Sequence, residues 1–145
     1  VMNPGQRILY YEDYSMYQMI EFASESARQH LGSRNLAHLC NNETIALLLH
    51  DTKTGSNLLE FLHTYLQHER NVTETAKALY IHRNTAQYKI HKIEEIIGGT
   101  LDDPILRERL LFSYHVLEYM TRYCKEDILV LKRNQSEDVQ SSSER

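Results

Sequence analysis

The apolar positions of this chain recur mostly every three to four residues. Met16, Tyr17, Ile20, Ala23 and Ala27 form one helical stripe, with Asp13 or Ser15 as N-cap and Gly32-Ser33 as the stop. The preceding Ile8-Leu9-Tyr10-Tyr11 lacks that period and reads as extended, so residues 1–13 are expected to be an extended start and 14–55 a helical subdomain. Thr44 to Leu49 predicts a short helix, capped by Asn42 and ended by the Asp51-Thr52-Lys53-Thr54-Gly55 cluster. From Ser56, the residues Leu58, Leu59, Leu62, Tyr65 and Leu66 define a stronger stripe that ends near Arg70. Asn71-Val72-Thr73-Glu74 then starts a short helix through Ala76 to Leu79, with Glu74 reaching back as in a capping box. A longer helix opens near His82 and runs to about Ile97, where Gly98-Gly99 stops it. Asp103 before Pro104 is an N-cap with proline at N1, and Leu106, Leu110, Tyr114 and Leu117 carry the last helix to around Cys124. The pattern predicts an all-α fold with its main domain over 56–125 and a tail over 126–145. From about Asn134 the tail is too polar and serine-rich to bury a core and reads as disordered.

Two prolines and five glycines in 145 residues favour helices with short connections, while 41% hydrophobic residues are enough for one ordinary core. Sixteen Lys and Arg against twenty Asp and Glu give a formal net charge of −4, so indiscriminate coating of nucleic acid is excluded and any DNA binding requires a local patch. No apolar run approaches the roughly 18 residues of a membrane span, and no signal-peptide core follows Val1-Met2-Asn3-Pro4. The expected compartment is the cytoplasm. Cys40 and Cys124 have neither disulfide-framework nor zinc spacing and read as buried thiols.

The informative stretch is Asn71 to Ile97, where a short helix and a longer one are separated by about three residues, the spacing of a helix-turn-helix. Ala76 is small where the helices would cross, and Leu79 and Ile81 bracket the turn. At about 100° per residue, Ala86, Ile90, Ile93 and Ile97 share a narrow inward arc. The opposite face presents Asn84, Tyr88 and His91, flanked by Gln87 and Lys92, with Arg83 and Thr85 in the first turn. Arginine pairs bidentately with guanine, and asparagine or glutamine with adenine, so this face carries major-groove chemistry. Lys89 and Lys92 are candidates to neutralise phosphates, and no carboxylate occurs between Arg83 and Ile93. Asn71 and the amides near Val72 and Thr73, at the start of the shorter helix, are placed to hold another phosphate. Tyr80 stands where many such turns carry glycine, so the turn is expected to depart from the simplest form.

The run Leu58-Leu59-Glu60-Phe61-Leu62, the stretch Asn71-Val72 through Thr75-Ala76, the block Ile81-His82-Arg83-Asn84-Thr85 with Tyr88, Lys92-Ile93-Glu94-Glu95-Ile96 and Leu101-Asp102-Asp103-Pro104 together resemble the C-terminal helix-turn-helix domain of PucR/CdaR-type bacterial transcription regulators. The resemblance covers about Tyr11 to Tyr123 and extends, more distantly, to Fis-type DNA-binding domains. It implies sequence-specific binding of double-stranded DNA with His82 and Arg83 approaching bases and Thr85 and Lys89 near phosphate. Gln87 and Lys89 stand where relatives often have arginine, which implies a weaker phosphate grip. One helix-turn-helix reads only a few base pairs, so a homodimer or higher homo-oligomer on half-sites about one turn apart is expected, and no cofactor is expected. The resemblance further implies a sensory region elsewhere in a longer regulator of which this chain is the C-terminal piece.

An enzyme is not expected: H-E-x-x-H, G-x-S-x-G and a phosphate-binding glycine loop are all absent from the sequence. His63 and His68 lie five apart, off a common helical face, and His38 with Cys40 is too sparse for a metal site. The rival reading is a helical interaction module, dimerising through the tyrosine-rich start and the Tyr114, Tyr119 and Tyr123 side of the last helix, without specific DNA reading.

Overall fold

The computed structural model describes residues 4–32, 36 and 39–121, and these are helical with short connections. Six helices follow in order: α1 Pro4–Leu31, α2 Asn42–Thr54, α3 Leu58–Gln67, α4 Val72–Ala78, α5 Arg83–Ile97 and α6 Pro104–Tyr119. The all-α expectation holds.

The predicted extended start is wrong, because α1 is helical from Pro4 onward. Proline at the first position has its φ already set for a helix, and no glycine or proline interrupts residues 7–31. Once a helix exists, each added residue gains one hydrogen bond, and this outweighs the extended preference of four bulky residues. Asp13 and Ser15 therefore lie inside the helix and not at its start. The stop at Gly32 is as expected, its amide donating to the Arg28 carbonyl at 3.0 Å.

The described residues divide into two compact units, one from 40–115 and the other from the described parts of 1–39 and 116–145. In the second, Ile20, Ser24 and Ala27 of α1 and Val116, Leu117, Tyr119 and Met120 are buried. There the Tyr17 hydroxyl donates to Glu118 Oε2 at 2.8 Å, and the Tyr17 ring stacks on Tyr119 with centroids 6.4 Å apart.

The 40–115 unit closes round Leu47, Leu58, Phe61, Leu62, Tyr65, Ala76, Ala86, Ile93, Leu101, Leu106 and Leu110. Helix α2 packs on α3 and α5, so it belongs with the later helices and not with the expected 14–55 subdomain. Leu47 inside that core is the reason. The cap of α2 is Asn41, not Asn42: its Oδ1 accepts from the Thr44 amide and hydroxyl, and Ser113 of α6 donates to the same oxygen at 3.0 Å. Cys40 is buried beside this knot, its Sγ 3.9 Å from the Ser113 carbonyl oxygen. Cys124, Tyr123 and the expected tail lie outside the described residues.

The expected stop cluster ends α2 at the cluster's last residue, Gly55. Asp51 sits within the helix and caps the next one, Oδ1 accepting from the Leu58 amide and Oδ2 from the Leu59 amide, both at 2.9 Å. A carboxylate at a helix N-terminus satisfies otherwise unbonded donors and lies at the positive end of the helix dipole. Gly55, in the left-handed region at φ 68°, is the true C-cap of α2.

Candidate nucleic-acid interface

Helix α4 begins and ends by local chemistry. Asn71 Oδ1 accepts from the amides of Thr73 and Glu74 at 3.0 and 3.1 Å. The reciprocal half of the expected capping box is missing, because the Glu74 carboxylate instead takes Lys77 Nζ at 2.9 Å. At the other end, the Ile81 amide donates to the Ala76 carbonyl at 3.0 Å and the Tyr80 amide to Lys77 at 3.2 Å, a Schellman closure. That closure needs a left-handed residue at position 80, and Tyr80 supplies it at φ 55°. The turn thus keeps the usual form despite lacking glycine, at a strain of roughly 1 kcal/mol.

The turn between α3 and α4 uses the same device. Arg70 and Glu69 donate through their amides to the Tyr65 and Leu66 carbonyls, with Glu69 at φ 53° and Arg70 at φ 63°. Here the side chain has a use in the fold: Arg70 Nη1 pairs with Asp102 Oδ1 at 2.6 Å.

Helix α5 starts at His82, whose Nδ1 accepts from the Asn84 amide at 3.1 Å. In the neutral ring this bond puts the proton on Nε2, which remains as an exposed donor. The inward arc is as expected, with Ala86 and Ile93 fully buried and Ile90 and Ile97 packed against the same core. The outward arc presents Arg83, Asn84, Gln87, Tyr88 and His91, all exposed, and their side chains make no hydrogen bond or ion pair with any described residue. Tyr88 keeps 67% of its surface exposed, so its ring is not spent on packing.

The residues expected at phosphate are more committed. Lys89 Nζ donates to Asn57 Oδ1 at 3.1 Å and lies 5.7 Å from the Phe61 ring centroid, which draws it back onto α3. Lys92 Nζ pairs with Glu95 Oε2 at 3.1 Å, leaving its charge partly neutralised. The Thr73 amide, expected as an anion donor, is already taken by Asn71, so of the two amides named near the start of α4 only that of Val72 lacks this capping bond. Thr85 is exposed and unencumbered.

Three comparisons with known proteins bear on this geometry. Residues 58–116 match the family model described as the PucR C-terminal helix-turn-helix domain. Those residues form a PucR-type helix-turn-helix domain. The Purine catabolism regulatory protein of Bacillus subtilis (strain 168) is 41% identical over 69 residues, covering 48% of this chain and 13% of that protein. The Carbohydrate diacid regulator of Escherichia coli (strain K12) is 27% identical over 106 residues, covering 71% of this chain and 25% of that protein. The chain therefore spans a quarter or less of the length of either regulator. No solved structure matches it significantly.

Within the PucR-type domain, several residues that hold the reading face in place escaped the sequence pattern. Glu94, expected only as a distal acid on α5, accepts from the Leu101 amide at 2.9 Å and ties α5 to the loop before α6. Arg107 Nη1 bonds the carbonyls of Leu101 and Asp102, both at 2.8 Å, and so grips the same loop from the other side. Asp103 caps α6 through the Ile105 amide, as its position before Pro104 implied. No spacing rule announces Glu94 or Arg107, because their partners are backbone groups five to seven residues away on a loop. Among the described residues, no group of three His, Cys, Asp or Glu side chains is placed to hold a metal ion, and no helix is long and apolar enough to cross a membrane.

Proposed function

We propose that this chain supplies sequence-specific binding of double-stranded DNA to a transcription regulator, with α5 entering the major groove amino end first. The observation that carries the reading is the outward arc of α5, five exposed side chains without partners in the fold, set opposite the buried Ala86 and Ile93. Arg83 offers its fork to guanine O6 and N7, and Asn84 and Gln87 match adenine N6 and N7. The Tyr88 ring suits a thymine methyl group, while His82, through Nε2, and His91 reach further base edges. Thr85, the Asn71 Nδ2 and the Thr73 hydroxyl set register on phosphates, the Asn71 oxygen and Thr73 amide staying in the cap of α4, and Lys89 and Lys92 join them by exchanging Asn57 and Glu95 for the DNA.

A chain of net charge −4 with two committed lysines grips phosphate weakly, which favours a homodimer on two half-sites about 34 Å apart. The sensory part of the longer regulator would then set orientation or oligomeric state. By analogy with relatives named for purine catabolism and carbohydrate diacids, the genes under control belong to catabolism.

The test is selection of bound duplexes from a random pool, followed by affinity at several salt concentrations for the selected and a scrambled duplex. A shared motif with a steep salt slope and a large specificity ratio is the expected result. Failure to enrich any motif, with Arg83→Ala indistinguishable from the unaltered chain, would leave the helix-turn-helix as a protein-interaction module.

A further inference from the structure

The Tyr80 side chain has no role in holding the fold. Its ring is 97% exposed and makes no hydrogen bond or ring contact with any described residue. Other rings of the described chain are packed, as in the stack of Phe61 on Tyr65 with centroids 6.2 Å apart, and even the exposed Phe22 and Tyr88 keep less of their surface in solvent, 77% and 67%. Its backbone is also unfavourable, since φ 55° suits glycine and disfavours a bulky L residue. Glycine would close the Schellman motif equally well. Of the other two left-handed residues, Arg70 has the Asp102 ion pair, and Glu69 is an acid that water solvates well, whereas the Tyr80 ring is left in water with neither compensation. A strained residue whose side chain contributes nothing to its own fold points to a contact outside the chain.

Its position says which contact. Tyr80 lies three residues before Arg83, at most about 11 Å along the chain, and a major groove is about 12 Å wide. If Arg83 meets base edges, the turn before α5 stands at the groove rim, where the phosphates run. We propose that the Tyr80 hydroxyl donates a hydrogen bond to a backbone phosphate oxygen of the bound duplex, with the ring along the adjoining deoxyribose. This rests on the assignment of α5 as the groove-entering helix.

The experiment compares Tyr80→Gly, Tyr80→Phe, Glu69→Gly and Arg83→Ala in the 145-residue chain, reading thermal stability, self-association and affinity for selected and scrambled duplexes. Tyr80→Gly should melt a few degrees higher. It should nevertheless bind about three- to tenfold more weakly, equally for both duplexes, because a phosphate contact carries no sequence information. Tyr80→Phe should reproduce most of that loss. Glu69→Gly, which relieves the same strain at the other end of α4, should melt higher without weaker binding. If Arg83→Ala weakens binding and Tyr80→Gly does not, the Tyr80 contact is overturned while the groove assignment stands. If neither matters, both fall. A loss in Tyr80→Gly that follows reduced self-association would place the ring against a second copy and overturn the phosphate contact.

Discussion

The two faces of α5 obey different rules. On the inner face, Ala86 and Ile93 have no exposed surface and are surrounded by side chains from the other helices of the unit. On the outer face, Arg83, Asn84, Gln87, Tyr88 and His91 are exposed and their side chains make no hydrogen bond or ion pair with any described residue. The same fifteen residues therefore separate two jobs by angle alone. One face sets where the helix sits, and the other is free to be chosen for what it meets. Mutations on the two faces should accordingly be read out by different measurements.

The largest expected effect is on the inner face. Ile93→Ala leaves a cavity in a close-packed core and should cost about 2–5 kcal/mol of folding stability, measured as a lower urea midpoint at unchanged slope. A loss below half of that range would mean that the inner face is less tightly packed than the burial of Ile93 indicates.

Next comes the outer face. Arg83→Ala should weaken binding of the selected duplex by about 1–3 kcal/mol and relax preference at one position. Its melting temperature should not move. A fall in stability as large as the fall in affinity would erase the distinction between the faces.

Glu94 and Glu95 sharpen the comparison, being adjacent in sequence and different in duty. Glu94→Ala removes the acceptor for the Leu101 amide and should cost about 1–2 kcal/mol of stability. Glu95→Ala breaks only an exposed pair with Lys92 and should stay within about 0.5 kcal/mol of the unaltered chain. By freeing Lys92, it should also strengthen DNA binding and steepen its salt dependence. Thermal melts with salt-dependent affinity measurements separate the two.

The smallest effect is alkaline and belongs to the core beneath the reading face. Burial holds the Tyr65 hydroxyl above the ordinary tyrosine range, outweighing the nearby Arg70 charge. A raised folded-state value means that its contribution is complete below the unfolded value of about 10 and is lost as the pH rises through the folded one. Stability should therefore decline above about pH 10, and Tyr65→Phe should reduce that decline while leaving the neutral-pH melt nearly unchanged. An identical alkaline profile in the two proteins would assign the decline to other groups.

Much of this molecule was legible from local pattern. The order of the helices, the cap at Asn71, the stop at Gly98, the Asp103-Pro104 start of α6 and the division of α5 into two arcs all depend on residues within one or two turns of one another. Periodicity and capping act over that distance, so one sequence suffices to read them. Only the tertiary structure assigned α2 to the helix-turn-helix unit, turned Asp51 into the cap of α3 and drew Lys89 onto Asn57 and Phe61. Lys89 is the clearest case, because its composition promises a free charge and its partners lie 32 residues back along the chain at Asn57 and on the ring of Phe61. Asp51, Lys89 and Glu94 each have several chemically adequate partners in a sequence. The packed chain selects among them, since a hydrogen bond or ion pair forms only where the core has already brought both groups within about 3 Å.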